Sequence, residues 1–184
     1  MNEADLIARA RRGEQTAWLA LVRQHQEALF RMAYLLLGDA DEAEDVAQEA
    51  FIRAFRALDT VKEGHPLRPW LLQIAKNLAH NRRRSARRYL AALRRWWAER
   101  PNSVAHPSPK DAEAELLWRA IRRLSITDQE ILYLRYFLEL TVAETAAVLV
   151  VAEGTVKSRL ARALGRLRNV IEADFPELRE EAVR

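Results

Sequence analysis

Residues 141–168 read TVAETAAVLVVAEGTVKSRLARALGRLR. Thr141 and Glu144 form a T-x-x-E capping box, which marks a helix start. Ala143, Ala146, Ala147 and Leu149 give that helix a small apolar face, and Val150–Glu153 hold a turn. A second helix follows, with Val156, Leu160, Ala163, Leu164 and Leu167 at i, i+4, i+7, i+8 and i+11 as one inward stripe. Lys157, Arg159, Arg162, Arg166 and Arg168 fall on its other faces. A short helix that crosses a DNA backbone, followed by a basic helix that enters the major groove, is the helix-turn-helix arrangement. Any amphipathic surface helix carries Lys and Arg, so a lone basic helix would decide nothing. The preceding helix, the capping box and the G-T-V-K-S-R string together favour DNA binding.

Upstream of this motif, Thr127 and Glu130 read as another capping box, with Ile131, Leu132, Leu134, Tyr136 and Phe137 as apolar surface. Before it, Ser108-Pro109-Lys110-Asp111 starts a helix whose stripe is Leu116, Leu117, Ala120, Ile121 and Leu124. Residues 94–109 hold Trp96-Trp97, Pro101 and Pro107 and read as a flexible linker, ordered only by a partner.

The first 93 residues form a second helical unit. Asn2–Arg12 is a short helix with Leu6, Ile7 and Ala10 inward, ended by Gly13. Glu14–Leu37 is a long helix with Trp18, Leu21, Val22, His25, Leu29, Met32, Ala33 and Leu36 along one side, and Gly38 follows it. Asp39 with Glu42 caps the next helix, which runs to about Leu58 and buries Ala43, Val46, Ala47, Ala50, Phe51, Ala54, Phe55 and Leu58. The outward face of its first half is acidic. After a break at Asp59–Pro69, a helix over Trp70–Arg88 is apolar through Leu71, Ile74, Ala75 and Leu78 and basic from Arg82 onward.

Composition agrees with an all-α chain of two small domains. In 184 residues there are 5 Gly and 6 Pro, few enough to disfavour strand-and-turn architectures, and 49% of residues are hydrophobic, enough for a core. No apolar run approaches the length that spans a bilayer, and the polar start is no secretion signal, so membrane insertion is not expected. Zero cysteines removes disulfides, thiolate metal sites and thiol catalysis and fits a cytoplasmic protein. His25, His65, His80 and His106 lie in unrelated contexts, and no phosphate-binding or dinucleotide fingerprint is present. No catalytic residue, metal or cofactor is expected. The net charge of +4 is modest for a nucleic-acid binder, so the distribution matters more than the sum.

The residues carry a resemblance to a known family. L-S-I-T-D-Q-E-I-L at Leu124–Leu132 and E-G-T-V-K-S-R-L at Glu153–Leu160 resemble domain 4 of a bacterial sigma factor. D-E-A-E-D-V-A-Q-E-A-F at Asp41–Phe51 and R-P-W-L-L-Q-I-A-K-N at Arg68–Asn77 are similar to domain 2. Order and linker length resemble the extracytoplasmic-function (ECF) group of the sigma-70 family. The expected layout is 1–93 as a domain 2-like bundle, 94–109 as linker, 110–175 as a domain 4-like helix-turn-helix and 176–184 as tail.

The resemblance implies a partner for each charged or polar face. Asp41, Glu42, Asp45, Gln48 and Glu49 would dock on the clamp of the largest subunit of core RNA polymerase, and domain 4 on the flap of the second subunit. Carboxylates suit that docking because they steer and orient a basic surface more than they tighten it. Lys62, His65, Arg68, Trp70, Gln73, Asn77 and Asn81 would recognise and melt the −10 element; amides can bond a base edge that the duplex hides. Trp70 stands open between core packing and lining the pocket, and Asn81 replaces a customary Asp. Arg82, Arg83 and Arg84 would neutralise phosphates there. Glu153, Thr155, Lys157, Ser158, Arg159 and Arg162 would read the −35 element in duplex DNA.

Two departures from the family bear on the motif's turn. Val150 stands where Gly is usual, and Ala152 leaves the second helix without a capping side chain. A shifted or looser turn is therefore expected. The resemblance also implies an anti-sigma protein as a possible partner. Two other readings fit the same residues: a stand-alone DNA-binding regulator, and a helical interaction protein whose basic patches are only solvated.

Overall fold

The computed structural model describes residues 2–61, 64, 66–96 and 112–179. Every regular element among the described residues is helical, and the chain divides into two compact units, Met1–Val104 and Ala105–Arg184. The expected all-α, two-body architecture is what the sequence builds.

In the first unit α1 spans Glu3–Arg11, α2 Gln15–Leu37, α3 Ala40–Arg56 and α4 Leu67–Trp96, with a 3₁₀ turn at Leu58–Thr60. Local chemistry sets the boundaries. Gly13 and Gly38 take φ of +86° and +77°, which reverses the chain after α1 and α2 without a Cβ clash. Asp39 Oδ1 accepts from the Glu42 amide at 2.9 Å and starts α3. The Arg9 guanidinium donates from Nε to Glu14 Oε2 at 2.8 Å, and this bond, with help from Thr16, holds the Glu14 carboxyl down at about 2. α4 is longer than the expected Trp70–Arg88. Pro69 sits in its first turn, where a missing N–H costs nothing, and neither Gly nor Pro interrupts residues 70–100. The segment expected as linker is thus helical over 94–96. Most of that linker, including Trp97, lies outside the described residues.

Leu21, Leu29 and Met32 of α2, Val46 of α3 and Leu67, Leu71 and Leu72 of α4 form the core, each no more than 1% exposed. Ala17, Ala33, Ala43, Ala50, Ala54 and Ala75 are fully buried among them, which lets the helices approach closely. Phe55 corrects the expected stripe. It is 52% exposed, because the alanines at 50 and 54 already fill the contact, and its ring leans on Trp18 at 5.2 Å.

His25 is buried, with Nε2 3.0 Å from Glu3 Oε1. A carboxylate only accepts, so Nε2 carries the proton. Burial lowers the His25 pKa from its ordinary 6.5, Glu3 works against this, and the nearby Arg68 charge lowers it further. In the window from that lowered value up to 6.5 the unfolded chain binds a proton that the folded chain excludes. Stability is therefore lost as pH falls below 6.5. His25→Gln is expected to shrink the drop in melting midpoint between about pH 7 and pH 5.5; thermal melts at the two pH values check it.

In the second unit α5 spans Ala112–Arg123, α6 Ile126–Leu132, α7 Val142–Leu149 and α8 Glu153–Asp174. A π-helical turn, Tyr133–Phe137, continues α6, and Pro176–Arg179 is a 3₁₀ turn. The capping sequence at Ser108–Asp111 lies outside the described residues. The cap of α6 is not Thr127 with Glu130. Ser125 caps it, accepting from the Asp128 amide at 3.3 Å, and Glu130 is buried. A helix entering two residues earlier turns Asp128, Gln129 and Glu130 inward. Gln129 Nε2 donates to the Leu124 carbonyl at 2.8 Å and the Arg122 carbonyl at 3.3 Å, satisfying the end of α5. Trp118, Tyr133 and Phe137 cluster with centroids 4.7 to 6.0 Å apart, while Tyr136 is exposed. Phe175, at the end of the expected domain 4-like span, is buried with the Arg119 guanidinium 5.6 Å from its ring.

The capping box at Thr141 and Glu144 forms in both directions. The buried face of α7 differs from expectation: Thr145, Ala146 and Val148 are buried, Leu149 is half-buried, and Ala143 and Ala147 are exposed. Thr145 can go inside because its hydroxyl donates to the Thr141 carbonyl at 2.8 Å.

The turn between α7 and α8 is neither shifted nor loose. Val150 takes φ 56°, ψ 51°, the Val151 amide donates to Ala146 O at 3.0 Å, and the Val150 amide reaches Ala147 O at 3.4 Å. That pair of bonds is the Schellman closure, with a β-branched residue forced into the left-handed position. Val150 is 68% exposed, so no burial of its side chain offsets the strain. Val150→Gly is expected to stabilise the chain by about 1 kcal/mol, the relief of strain exceeding the added unfolded-state entropy. A urea titration with unchanged slope and a higher midpoint checks it.

Candidate nucleic-acid interface

Trp70, Gln73, Asn77, Asn81 and Arg84 recur at i, i+3, i+7, i+11 and i+14, so they line one side of α4 over about 21 Å. Leu71, Leu72, Ala75, Leu78 and Ala79 fill the opposite side and are buried in the first unit. The burial of that side fixes which way the polar row points. Trp70 and Gln73 are half-buried; Asn77, Asn81 and Arg84 are exposed. The row is thus a partly sunken aromatic and amide at one end, two open amides, and a cation at the other.

The three expected phosphate arginines do not act alike. Arg84 lies on the amide row. Arg82 turns toward α3, where Nη1 is 3.1 Å from Asp45 Oδ2, and Arg83 is half-buried on another side. Two residues expected to meet different partners are therefore paired with each other. Both are well exposed, so the pair contributes under about 1 kcal/mol and yields readily to a competing charge. Lys62 and His65 lie outside the described residues, and Arg68 is half-buried in the first turn of α4.

The acidic set sits on one helix. Asp41, Glu42, Asp45 and Gln48 are exposed on α3 and Glu49 is half-buried. Glu49 Oε1 accepts from Arg53 at 2.7 Å and Gln48 donates to Glu44 at 3.3 Å, both one turn away. Asp41 and Glu42 also sit in the first turn, where the helix dipole favours negative charge.

α8 is anchored by Val156 and Ala163, both fully buried, with Leu160 and Leu167 half-buried. Leu164, expected inward, is 38% exposed, because it lies about 100° around the helix from Ala163. Glu153, Lys157, Ser158 and Arg162 are exposed; Thr155 and Arg159 are half-buried along one edge. Between the basic edges runs a row that sequence reading missed: Gly154, Ser158, Ala161 and Gly165, all exposed, leave the outermost face nearly flat. Their i, i+4, i+7, i+11 spacing was a legible signal. Arg166 leaves the basic face altogether: Nη1 lies 2.7 and 2.9 Å from the two Asp128 oxygens, which fixes α8 to α6. Asp128 and Gln129 were missed because their polar type suggests solvent. As expected, Ala152 at the head of α8 makes no side-chain cap bond.

Among the described residues no His, Asp or Glu cluster could hold a metal ion, and no helix is long and apolar enough to cross a membrane.

Comparison with known proteins matches this geometry to a family. Residues 21–89 match the model described as Sigma-70 region 2, and residues 114–167 the model described as Sigma-70, region 4. Those spans contain the amide row of α4 and the first 15 residues of α8, Glu153 to Leu167. The chain is 34% identical over 176 residues to the ECF RNA polymerase sigma factor BldN of Streptomyces coelicolor, covering 92% of this chain and 66% of that protein. It is 31% identical over 172 residues to the ECF RNA polymerase sigma factor SigL of Mycobacterium tuberculosis, covering 90% of this chain and 95% of that one. Among solved structures it is similar to CnrH, in complex with the cytosolic domain of CnrY, with a TM-score of 0.69 and 27% identity over 94% of this chain and 98% of that one. It is also similar to the sigma factor RpoE of Bartonella quintana, in complex with the anti-sigma factor NepR, with a TM-score of 0.67 and 25% identity over 84% and 96%. With both regions present in order and the likeness to SigL running nearly end to end, the chain belongs to the extracytoplasmic-function group of the sigma-70 family of RNA polymerase sigma factors.

Proposed function

We propose that this sigma factor binds core RNA polymerase in the cytoplasm and directs it to promoters, without chemistry of its own. α3 docks through Asp41, Glu42, Asp45, Gln48 and Glu49 on the clamp of the largest subunit, and the second unit meets the flap of the second subunit. Lys62 and His65 in the sequence before α4, with Arg68, Trp70, Gln73, Asn77 and Asn81 on it, read and open the −10 element, and Arg84, with smaller shares from Arg82 and Arg83, meets its phosphates. α8 reads the −35 element in duplex DNA through Glu153, Thr155, Lys157, Ser158, Arg159 and Arg162.

The observation that carries this reading is the row on α4. Opening a duplex needs groups that hold a base out of its stack, and amides beside an aromatic ring do so by edge hydrogen bonds and stacking. A wholly solvated helix has no reason to set Trp70, Gln73, Asn77 and Asn81 opposite its buried side with Arg84 in line. Because Arg84 is on the row and Arg82 is turned to Asp45, Arg84→Ala is expected to slow strand opening by about fivefold and Arg82→Ala by less than twofold. Permanganate reactivity of the opened strand measures both. Equal effects would remove the distinction.

Run-off transcription with purified core polymerase, on duplexes randomised in the −10 and −35 elements, tests the function as a whole. Recovery of a promoter consensus supports it. Tight binding to duplex DNA without polymerase, and no transcript with it, would make the chain a stand-alone regulator instead. Complexes of the similar CnrH and RpoE with the cytosolic domain of CnrY and with NepR support an anti-sigma protein as a further partner. A pull-down from the native cell that returns polymerase and no such inhibitor would argue against it.

A further inference from the structure

The residue before α4 supplies it no side-chain cap. Pro66 precedes Leu67, and a proline side chain accepts no hydrogen bond. The first amide of α4 is served from a residue 64 positions away: Leu67 N donates to Glu3 Oε2 at 3.1 Å. The other oxygen, Glu3 Oε1, is held by the His25 ring nitrogen at 3.0 Å, so the carboxylate is gripped between α2 and α4. Glu3 is largely covered, with 27% of its side chain exposed, and a carboxylate against a helix N-terminus is favoured by the dipole.

The opposite end of α1 does a related job. The Arg11 guanidinium donates to the Leu58 carbonyl at 3.3 Å from Nε and 3.2 Å from Nη2, and Nη2 also donates to the Val61 carbonyl. Leu58–Thr60 is the 3₁₀ turn that leads from α3 toward α4. One nine-residue helix thus holds the chain on both sides of the path from α3 to α4, at Leu58 and Val61 on one side and at Leu67 on the other.

We propose that Glu3 and Arg11 are positioning residues for strand opening: they fix the first turns of α4, and with them Trp70 and Gln73, at the height a flipped −10 base requires. This rests on the −10 reading given above for α4. Neither residue needs to touch DNA. Removing either leaves the α4 row intact and lets its N-terminal end shift or fray.

The test uses holoenzyme assembled from the full chain and core polymerase. The probe is the strongest duplex selected by the wild type from a pool randomised in both elements, beside the same duplex with its −10 element scrambled. Glu3→Ala and Arg11→Ala are each expected to lower opening of the selected duplex about fivefold to tenfold and to compress the preference over the scrambled one by a similar factor. Core affinity and −35-dependent closed binding should hold within about twofold, and Arg11→Lys should restore part of the loss through the bonds a lysine can still make. Unchanged preference in both variants would overturn the proposal. So would an equal fall in every binding step accompanied by a lower melting midpoint, which would make α1 merely structural. Asn77→Ala separates this from failure of the −10 reading. If it destroys the preference and Glu3→Ala does not, only the role of α1 falls; if it too changes nothing, the −10 reading falls and α1 with it.

Discussion

Replacing Lys157 and Arg159 together by Ala is expected to lower −35-dependent transcription about 100-fold at moderate salt. The two residues stand on α8, held by Val156 and Ala163, and neither is engaged as Arg166 is with Asp128. A guanidinium that pairs with a guanine edge supplies about 1–3 kcal/mol of discrimination, and a lysine on phosphate adds a sequence-blind share. Together these reach about 3 kcal/mol, a factor of about 100. The comparison that reads the effect is transcription from a selected promoter against the same promoter with a scrambled −35 element, by wild type and double variant. An unchanged ratio would take both residues out of the interface. Loss of activity without loss of the ratio would assign them to phosphates alone, and the defect should then fade at lower salt.

Leu71→Ala should destabilise the first unit by about 3 kcal/mol, the middle of the range for emptying a fully buried leucine site. Leu71 is wholly buried, so truncating it leaves a cavity unless its surroundings close in. For a domain of this size that is a fall of about 15 °C in melting midpoint. The same change should weaken strand opening beyond the fraction unfolded, because Leu71 lies between Trp70 and Gln73 of the amide row on the same helix. Chemical denaturation measures the first effect and permanganate reactivity at a temperature where the variant is folded measures the second. A loss under about 1 kcal/mol would mean that the core recloses over the gap.

Much of this protein is legible in its sequence. Hydrophobic spacing of 3.6 residues placed the core faces of α2, α3 and α8, because a helix repeats its inward side without reference to the rest of the chain. Glycine at 13 and 38, Asp39 and the Thr141–Glu144 box marked ends correctly, because capping is satisfied within a few residues. Less local features were misread. The entry to α6 was placed two residues late, since both Ser125 and Thr127 can cap and only packing against α5 chooses between them. Phe55 and Leu164 were placed inside, since periodicity says which way a side chain points but not whether anything lies there. Val150 was expected to disturb its turn; the turn closes around it and the strain stays in one residue.

Helix content, the two bodies, the amide row of α4 and the basic helix of α8 follow from the order of residues alone, because each depends on neighbours within a few turns. Tertiary structure alone decided the partners of the charges. Arg166 goes to Asp128 across 38 positions, Arg82 to Asp45 across 37, Arg11 to Val61 across 50, and Glu3 to the Leu67 amide across 64. A charge in a sequence has no direction until the chain brings an opposite group within about 3 Å, and only the packed helices bring those groups together.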